Sequence, residues 1–347
     1  MAAMTRVDAV TIRAPIPGEG AAIAALWREL WDIHESWGGY PGVRDSRVYA
    51  RLARRLDEDA RVRAGQSILG RHVHLLAERG GLPCGQVEGW FDRLGSDHST
   101  AFTCEVRSLV VTAHARRLGA GRSLLEALAV AARAMARGSP CVLAAEVLAP
   151  NPGHAFYTRV GFRPVSWTAR IEARRGAALA IIPSMHARLA GPDDAVAVAR
   201  LESLLASRRR AVGDLRFDHP RALDAALVDL IAAHLSGNAA SKSVDPCTLV
   251  ACDSVGGVRA TATFAVHALE PPFIPDRRAL VGRISADPSW PVERSLLALV
   301  ALSSQMALAR GAPSVEITDL TEPGTDLYDA ALVAGGHPWS RVVIKPA

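Results

Sequence analysis

The chain has 347 residues, of which 49% are hydrophobic and 22% charged, a balance expected of a globular protein with two domains rather than a disordered or fibrous chain. Its formal charge of +5 is uneven: residues 1–180 hold 24 basic against 17 acidic side chains, and residues 181–347 hold 16 against 18, so the first half is the one that attracts an anion. Only two of the 40 basic residues are lysine and they do not cluster with aromatics, which argues against a nucleic-acid partner.

In chain order, VTIR (10–13) predicts a strand, followed by helices over about 20–36 and 45–58. HVHLLAERGGLPCGQVEGWF (72–91) reads as strand, turn and strand, with Gly80-Gly81 at the turn. TAFTCEVRSLVV (100–111) is a further strand, and 119–137 is a helix stopped by Gly138-Ser139-Pro140. CVLAAEVL (141–148) has the apolar content of a buried strand, and a short helix near 152–160 and a strand over 162–174 close the unit. The order predicts an α/β fold with a mixed sheet and helices on both faces.

The second half repeats the plan. Residues 185–206 follow the layout of 10–31, and 245–266 follow the first hairpin with its Gly-Gly turn. ERSLLALVALSSQMALARGAPSVEITDL (293–320) parallels GRSLLEALAVAARAMARGSPCVLAAEVL (121–148). One fold is therefore expected twice, with domains over 1–178 and 184–347.

The segment HARRLGAGRSLL (114–125) lies between a strand and a helix. Arg116, Arg117, Leu118, Gly119, Ala120 and Gly121 form R-x-x-G-x-G. Such a turn lets backbone approach a ligand, and the amides opening the helix point outward at the positive end of its dipole. Arg122 and Ser123 complete the first helical turn. Such a segment reads as a phosphate site or as an ordinary helix start with its arginines in water, and it is neither a P-loop nor a dinucleotide fingerprint. Aligning RSLL with RSLL sets Arg116 against Pro288, Gly119 against Pro291 and Gly121 against Glu293. Proline lacks the amide proton and glutamate repels phosphate, so only the first copy is expected to bind the anion.

These residues resemble the GNAT superfamily (Gcn5-related N-acetyltransferases), in which R-x-x-G-x-G follows a strand. The later NPGHAFYTRVGF matches a second motif of that family through Asn151, Tyr157, Gly161 and Phe162. The resemblance covers residues 8–175 strongly and 184–347 as a degenerate copy, giving two tandem GNAT-like acyl-CoA N-acyltransferase domains. It implies acetyl-CoA, or another acyl-CoA, as co-substrate. The diphosphate would lie on the amides of 116–121, the pantetheine arm along the backbone of Leu109, Val110 and Val111, and Asn151 would orient backbone or cofactor or cap the following helix. The acceptor implied is a small-molecule amine, attacked directly in a ternary complex.

Glu105 is the candidate base. It is the only carboxylate in its strand, and alternation sets it on the face of Arg107, Leu109 and Val111; a salt bridge with Arg107 is the competing reading. Tyr157 is the candidate acid for the leaving thiolate, with simple aromatic packing as its alternative. A backbone amide near Val111 would polarise the thioester carbonyl. Cys104 points to the opposite face from Glu105 and reads as a buried thiol. Trp27, Trp31, His34 and Trp37 stand where the family builds its acceptor pocket, although most of these tryptophans should be core. His72 and His74 have no third ligand nearby, and the five cysteines lack metal-ligand spacing, so no metal is expected. The odd cysteine count, the absence of a signal pattern in MAAMTRVDAV and the lack of a long apolar run lead to the expectation of a cytoplasmic protein without a membrane partner. O-acylation, malonyl decarboxylation and non-catalytic acyl-CoA sensing remain as other uses of the same fold.

Overall fold

The computed structural model describes residues 9–39, 45–93, 102–179, 184–217, 223–240, 246–268, 277–322 and 324–347. The first copy contains β1 (Thr11–Arg13), α1 (Gly20–Ser36), α2 (Ser46–Arg63), β2 (Ile68–Leu69), β3 (His72–Arg79), β4 (Leu82–Arg93) and β5 (Phe102–Val111). It continues with α3 (Ala120–Ala136), β6 (Cys141–Leu148), α4 (His154–Arg159), β7 (Arg163–Glu172) and α5 (Ala173–Ala177). The second contains β8 (Met185–Leu189), α6 (Ala195–Ala211), α7 (Ala225–Ala240), β9 (Cys247–Asp253), β10 (Val258–Ala268) and β11 (Arg277–Ala286). It ends with α8 (Val292–Ala309), β12 (Ser314–Leu320), α9 (Asp326–Val333) and β13 (His337–Pro346).

In the first half β2 and α5 have no expectation of their own, and the elements expected from the sequence fall within two residues of their places. The exception is α2, which runs five residues beyond 58 because its apolar stripe continues through Leu52, Leu56 and Ala60 and ends in the buried Arg63. Asp45 caps its start by accepting the Arg47 N–H at 2.9 Å. Residues 100 and 101 of the expected strand lie outside the described residues.

The strands form one mixed sheet in the order β1-β3-β4-β5-β6-β13-β7-β12-β11-β10-β9-β8, with β2 beside β3. Replacing each strand by its counterpart in the other copy reads this order backwards, so the duplication appears as a pseudo-twofold axis between β13 and β7. The last strand of each copy crosses that axis. β13 lies between β6 and β7, and β7 pairs with β12.

Division at 178/184 is therefore a division of the sequence, whereas each copy's sheet is completed by a strand of the other. The cores show the same exchange. Val343 of β13 packs with Leu124, Leu128 and Leu143 of the first copy, and Ile171 of β7 packs with Leu296 and Leu299 of the second. Each such residue, fully removed from water, contributes about 1.5–3 kcal/mol. By length and composition α8 is apolar enough to cross a membrane, but Leu296, Leu299 and Val300 bury one side of it in the core.

Candidate functional site

β5 and β6 run parallel only from Phe102–Cys141 to Val106–Ala145. Beyond that register β5 continues to Val111 and β6 to Leu148 without further pairing to each other, so a V-shaped cleft opens between them. Over the same stretch β5 carries a bulge. Between the pairs Gln86–Val110 and Glu88–Arg107, one residue of β4 (Val87) opposes two of β5 (Ser108 and Leu109), and Ser108 takes a left-handed φ of 55°. The extra residue reverses the alternation. Glu105 and Arg107 share a face, as expected, but Leu109 and Val111 pack with Val106 in the α3 core on the other one. The expectation of a single face for all four is corrected by the bulge, which pattern alone does not reveal.

A short connection with a 3-10 turn over Ala113–Ala115 leads from the end of β5 to the start of α3. Arg117 and Gly119 have φ of 65° and 87°, and Gly119 is the N-cap without a side-chain partner. The first intrahelical bond is donated by Ser123 N–H to Gly119 O at 3.0 Å, so the amides of Ala120, Gly121 and Arg122 have no intrahelical acceptor. A Cβ on Gly121 would come within 3.2 Å of the Phe156 ring, which places α4 against the helix start. Arg116 folds back, donating from Nε to Val111 O at 3.0 Å and facing Glu29 of α1 at 3.4 Å. Leu118 is exposed, Ala120 is buried, and Arg122 pairs with Glu126 at 3.2 Å.

On the β6 side, Asn151 Oδ1 accepts the Gly153 N–H at 2.7 Å, so its side chain shapes the turn into α4. Tyr157 packs edge-on to Phe156 and Phe162 at 5.5 and 5.3 Å. Burial raises the pKa of its phenol, which holds its proton at neutral pH. Cys104 is fully buried in the α3 core and its thiol pKa is likewise raised by burial, as befits a structural thiol.

Glu105 sits in the paired part of β5, half exposed at 53%, and accepts Arg107 Nε at 2.8 Å. This is the salt-bridge alternative considered for it. The residues that pattern reading passed over lie beside it on the α1 face. Glu88 of β4 is buried, accepts Ser108 Oγ at 3.1 Å and stands 3.6 Å from His72 Nε2. His72 stacks on Trp90 at 4.3 Å and meets Arg63 Nη2 at 2.6 Å. At the cleft mouth Glu146 accepts Ser340 Oγ of β13 at 2.6 Å and pairs with Arg278 of β11 at 3.2 Å. Only the exchange of strands brings these second-half residues here. On α1, Trp27 stacks on Trp31, Trp31 meets His34 edge-on, and His34 meets Trp37. Trp27 belongs to the core with Ile23 and Leu52.

The second copy keeps the frame but closes the cleft. Its bulge recurs at Arg283, with φ of 52°. Thr318 Oγ1 donates to Val281 O and Arg283 N–H to Asp319 Oδ2, each at 3.3 Å, stitching β11 to β12. Ahead of α8, the buried Asp287 accepts Ser289 N–H at 3.0 Å and Oγ at 2.7 Å and faces Arg200 at 3.0 Å. An internal carboxylate thus occupies donors beside the place that corresponds to the first copy's anion turn. Those donors hold the Asp287 pKa down to about 2, from an ordinary 3.8. The resulting stabilisation of about 2 kcal/mol is fully present above pH 3.8 and is lost as the pH falls through 2. Asp287→Asn should therefore lower unfolding free energy at pH 7 by about that amount. In urea denaturation the gap to the parent should narrow below pH 3.8; a pH-independent gap would contradict the assignment.

Residues 70–164 match the family model of the "Acetyltransferase (GNAT) domain". Among curated proteins no sequence matches the chain. Among solved structures, a GCN5-related N-acetyltransferase from Sphaerobacter thermophilus superposes with a TM-score of 0.55 at 16% identity, covering 97% of this chain and 95% of that one. The glucosamine N-acetyltransferase region of a fungal multi-domain beta-N-acetylglucosaminidase gives 0.54 at 12% identity, covering 99% of this chain and 39% of that one. At such identities the likeness concerns the fold. The cleft, the helix start and the matched segment agree: residues 70–164 are similar to a GNAT acetyltransferase domain, in a chain whose topology repeats that fold twice.

Proposed function

We propose that this protein is an acyl-CoA-dependent N-acyltransferase that moves the acetyl group of acetyl-CoA to the amine of a small molecule, at a single site in the first copy. The observation that carries this reading is the contrast between the copies. The first has an open cleft ending at the glycine-lined start of α3, and the second has bridged strands beside Asp287 and carries Glu293 in the first turn of α8. The amides of Ala120, Gly121 and Arg122, with Arg116 and Arg117 nearby, suit a diphosphate, which needs several converging donors and little bulk. The backbone of Leu109 to Val111, which has no pairing to β6, suits the pantetheine arm, and Asn151 holds the opposite lip through its turn.

In this reading the amine attacks the thioester carbonyl within a ternary complex, and an amide near Val111 stabilises the oxyanion. Tyr157 supplies a proton to the departing thiolate, for which its retained phenolic proton is suited. The second copy shapes the acceptor side through Ser340 and Arg278 rather than binding a second acyl-CoA. Calorimetry with acetyl-CoA should give one equivalent per chain, and a thiol-release assay across amino acids, polyamines and amino sugars should find an acceptor. Two bound equivalents would refute the single site, and no thiol release across the panel would refute the transfer.

A further inference from the structure

We infer that Glu88, rather than Glu105, takes the proton from the attacking amine, with His72 and Ser108 as the residues that position its carboxylate. This rests on the acyl transfer proposed above and names the base of that same site.

The two carboxylates stand on one face of neighbouring strands and differ in what holds them. Glu105 is neutralised by an arginine in solvent, at 53% exposure. Glu88 is 8% exposed and accepts Ser108 Oγ, and His72 Nε2, a buried atom without a hydrogen-bond partner, faces it at 3.6 Å. Arginine can only donate, so Arg63 Nη2 at 2.6 Å makes His72 Nδ1 an acceptor. The ring proton then sits on Nε2, on the side of Glu88. Arg63 thereby sets the tautomer, and His72 turns its Nε2–H toward the carboxylate.

Ser108 ties Glu88 to the cleft. It is the bulge residue, in a left-handed conformation that a non-glycine residue adopts at a cost, and it lies where β5 parts from β6. The second copy provides a control within the chain. Glu88 pairs in register with His74 and Arg107, and Thr263 pairs in the same way with Thr248 and Gly282. The bulge survives there, but the carboxylate has become threonine and the serine has become Arg283. The buried carboxylate occurs in the copy whose cleft is open and is missing from the copy whose strands are bridged by Thr318 and Asp319.

The groups facing Glu88 are His72 and His74 of β3, Ser108 and Arg107 of β5, and Arg63 of α2. Burial pushes its carboxyl up, but the histidines and Ser108 outweigh burial and leave it below the ordinary value. It is therefore ionised when an amine arrives. In the step, the amine lone pair forms the C–N bond at the thioester carbonyl carbon, and the N–H proton passes to Glu88. Collapse of the tetrahedral intermediate breaks the C–S bond, and the thiolate takes the Tyr157 proton. Glu88 then loses its proton to solvent and Tyr157 regains one.

The test compares the parent with Glu88→Gln, Glu105→Gln and Ser108→Ala, using acetyl-CoA and the best amine of the panel. Glu88→Gln should lower kcat about 100-fold or more while acetyl-CoA affinity by calorimetry stays within about twofold, and its loss should exceed that of Glu105→Gln at least about tenfold. Ser108→Ala removes a donor to the carboxylate, so the acidic limb of the kcat/KM profile should move to higher pH, which loss of mere packing would not do. Nitrogen-15 spectra should show His72 protonated at Nε2 and bare at Nδ1, a readout that survives even if Glu88→Gln fails to fold. An active parent with Glu88→Gln within threefold of it, or the opposite His72 tautomer, overturns the role of Glu88 alone. A parent that releases no thiol overturns the transfer reading instead.

Discussion

Removing residues 337–347 is expected to abolish both cooperative unfolding and acetyl-CoA binding, although every residue proposed to touch acyl-CoA lies between 109 and 157. The segment is β13, which fills the place between β6 and β7. Its loss exposes two strand edges at once and opens the middle of the sheet. Trp339, Val343 and Ile344, all buried, leave the cores with it. At about 2 kcal/mol each, those three side chains alone approach the 5–15 kcal/mol by which a domain is stable. The exchange of strands makes a second result follow. Residues 1–178 expressed alone should lack a cooperative urea transition, and co-expression with 184–347 should restore one, since each half supplies the strand the other needs. A truncated chain with the parent's transition and affinity would show that β13 is dispensable.

Gly121→Glu is expected to weaken acetyl-CoA binding about 100-fold or more while leaving the unfolding midpoint nearly unchanged, because like charges juxtaposed in a binding site cost several kcal/mol. The substitution imports the residue that the second copy has at the matching position, Glu293 in the first turn of α8. At a helix start a glutamate favours the helix through the dipole, so stability should not suffer from its charge. Its carboxylate would face the diphosphate across the same amides. The new Cβ meets only the edge of the Phe156 ring, at 3.2 Å, a contact a small shift relieves. Gly121→Ala separates the two effects, since it keeps the contact and omits the charge. Equal losses in both variants would trace the weakening to packing, and parent-like affinity of Gly121→Glu would remove the α3 start from the diphosphate site.

The candidate site divides along a physical line. Features that depend on neighbours in the chain were legible. The Gly119 turn, the start of α3 and the short helix with Tyr157 follow from local punctuation and hydrophobic period, and they fall where expected. Leu109 and Val111 were expected on the Glu105 face because alternation is a rule for an unbroken strand, and a bulge after Arg107 leaves no mark in composition. Glu88 was passed over for a related reason. In sequence it is one polar residue alternating between Gln86 and Trp90, and its significance comes from Ser108, His72 and Arg63 on three other elements.

The sequence by itself determined that one mixed α/β unit occurs twice and that only the first copy has the glycines of the R-x-x-G-x-G turn. Both properties are encoded within short windows, in hydrophobic period, in turn residues and in proline's missing N–H. Tertiary structure alone decided that β7 and β13 change places, that Ser340 and Arg278 reach the first copy's cleft, and that the second cleft is stitched shut. In a duplicated fold the last strand of either copy fits beside either penultimate strand, because both partners present nearly the same pattern. Local sequence cannot choose between those pairings. The choice is made by long-range packing, where Val343 fills the core beneath α3 and Ile171 the core beneath α8.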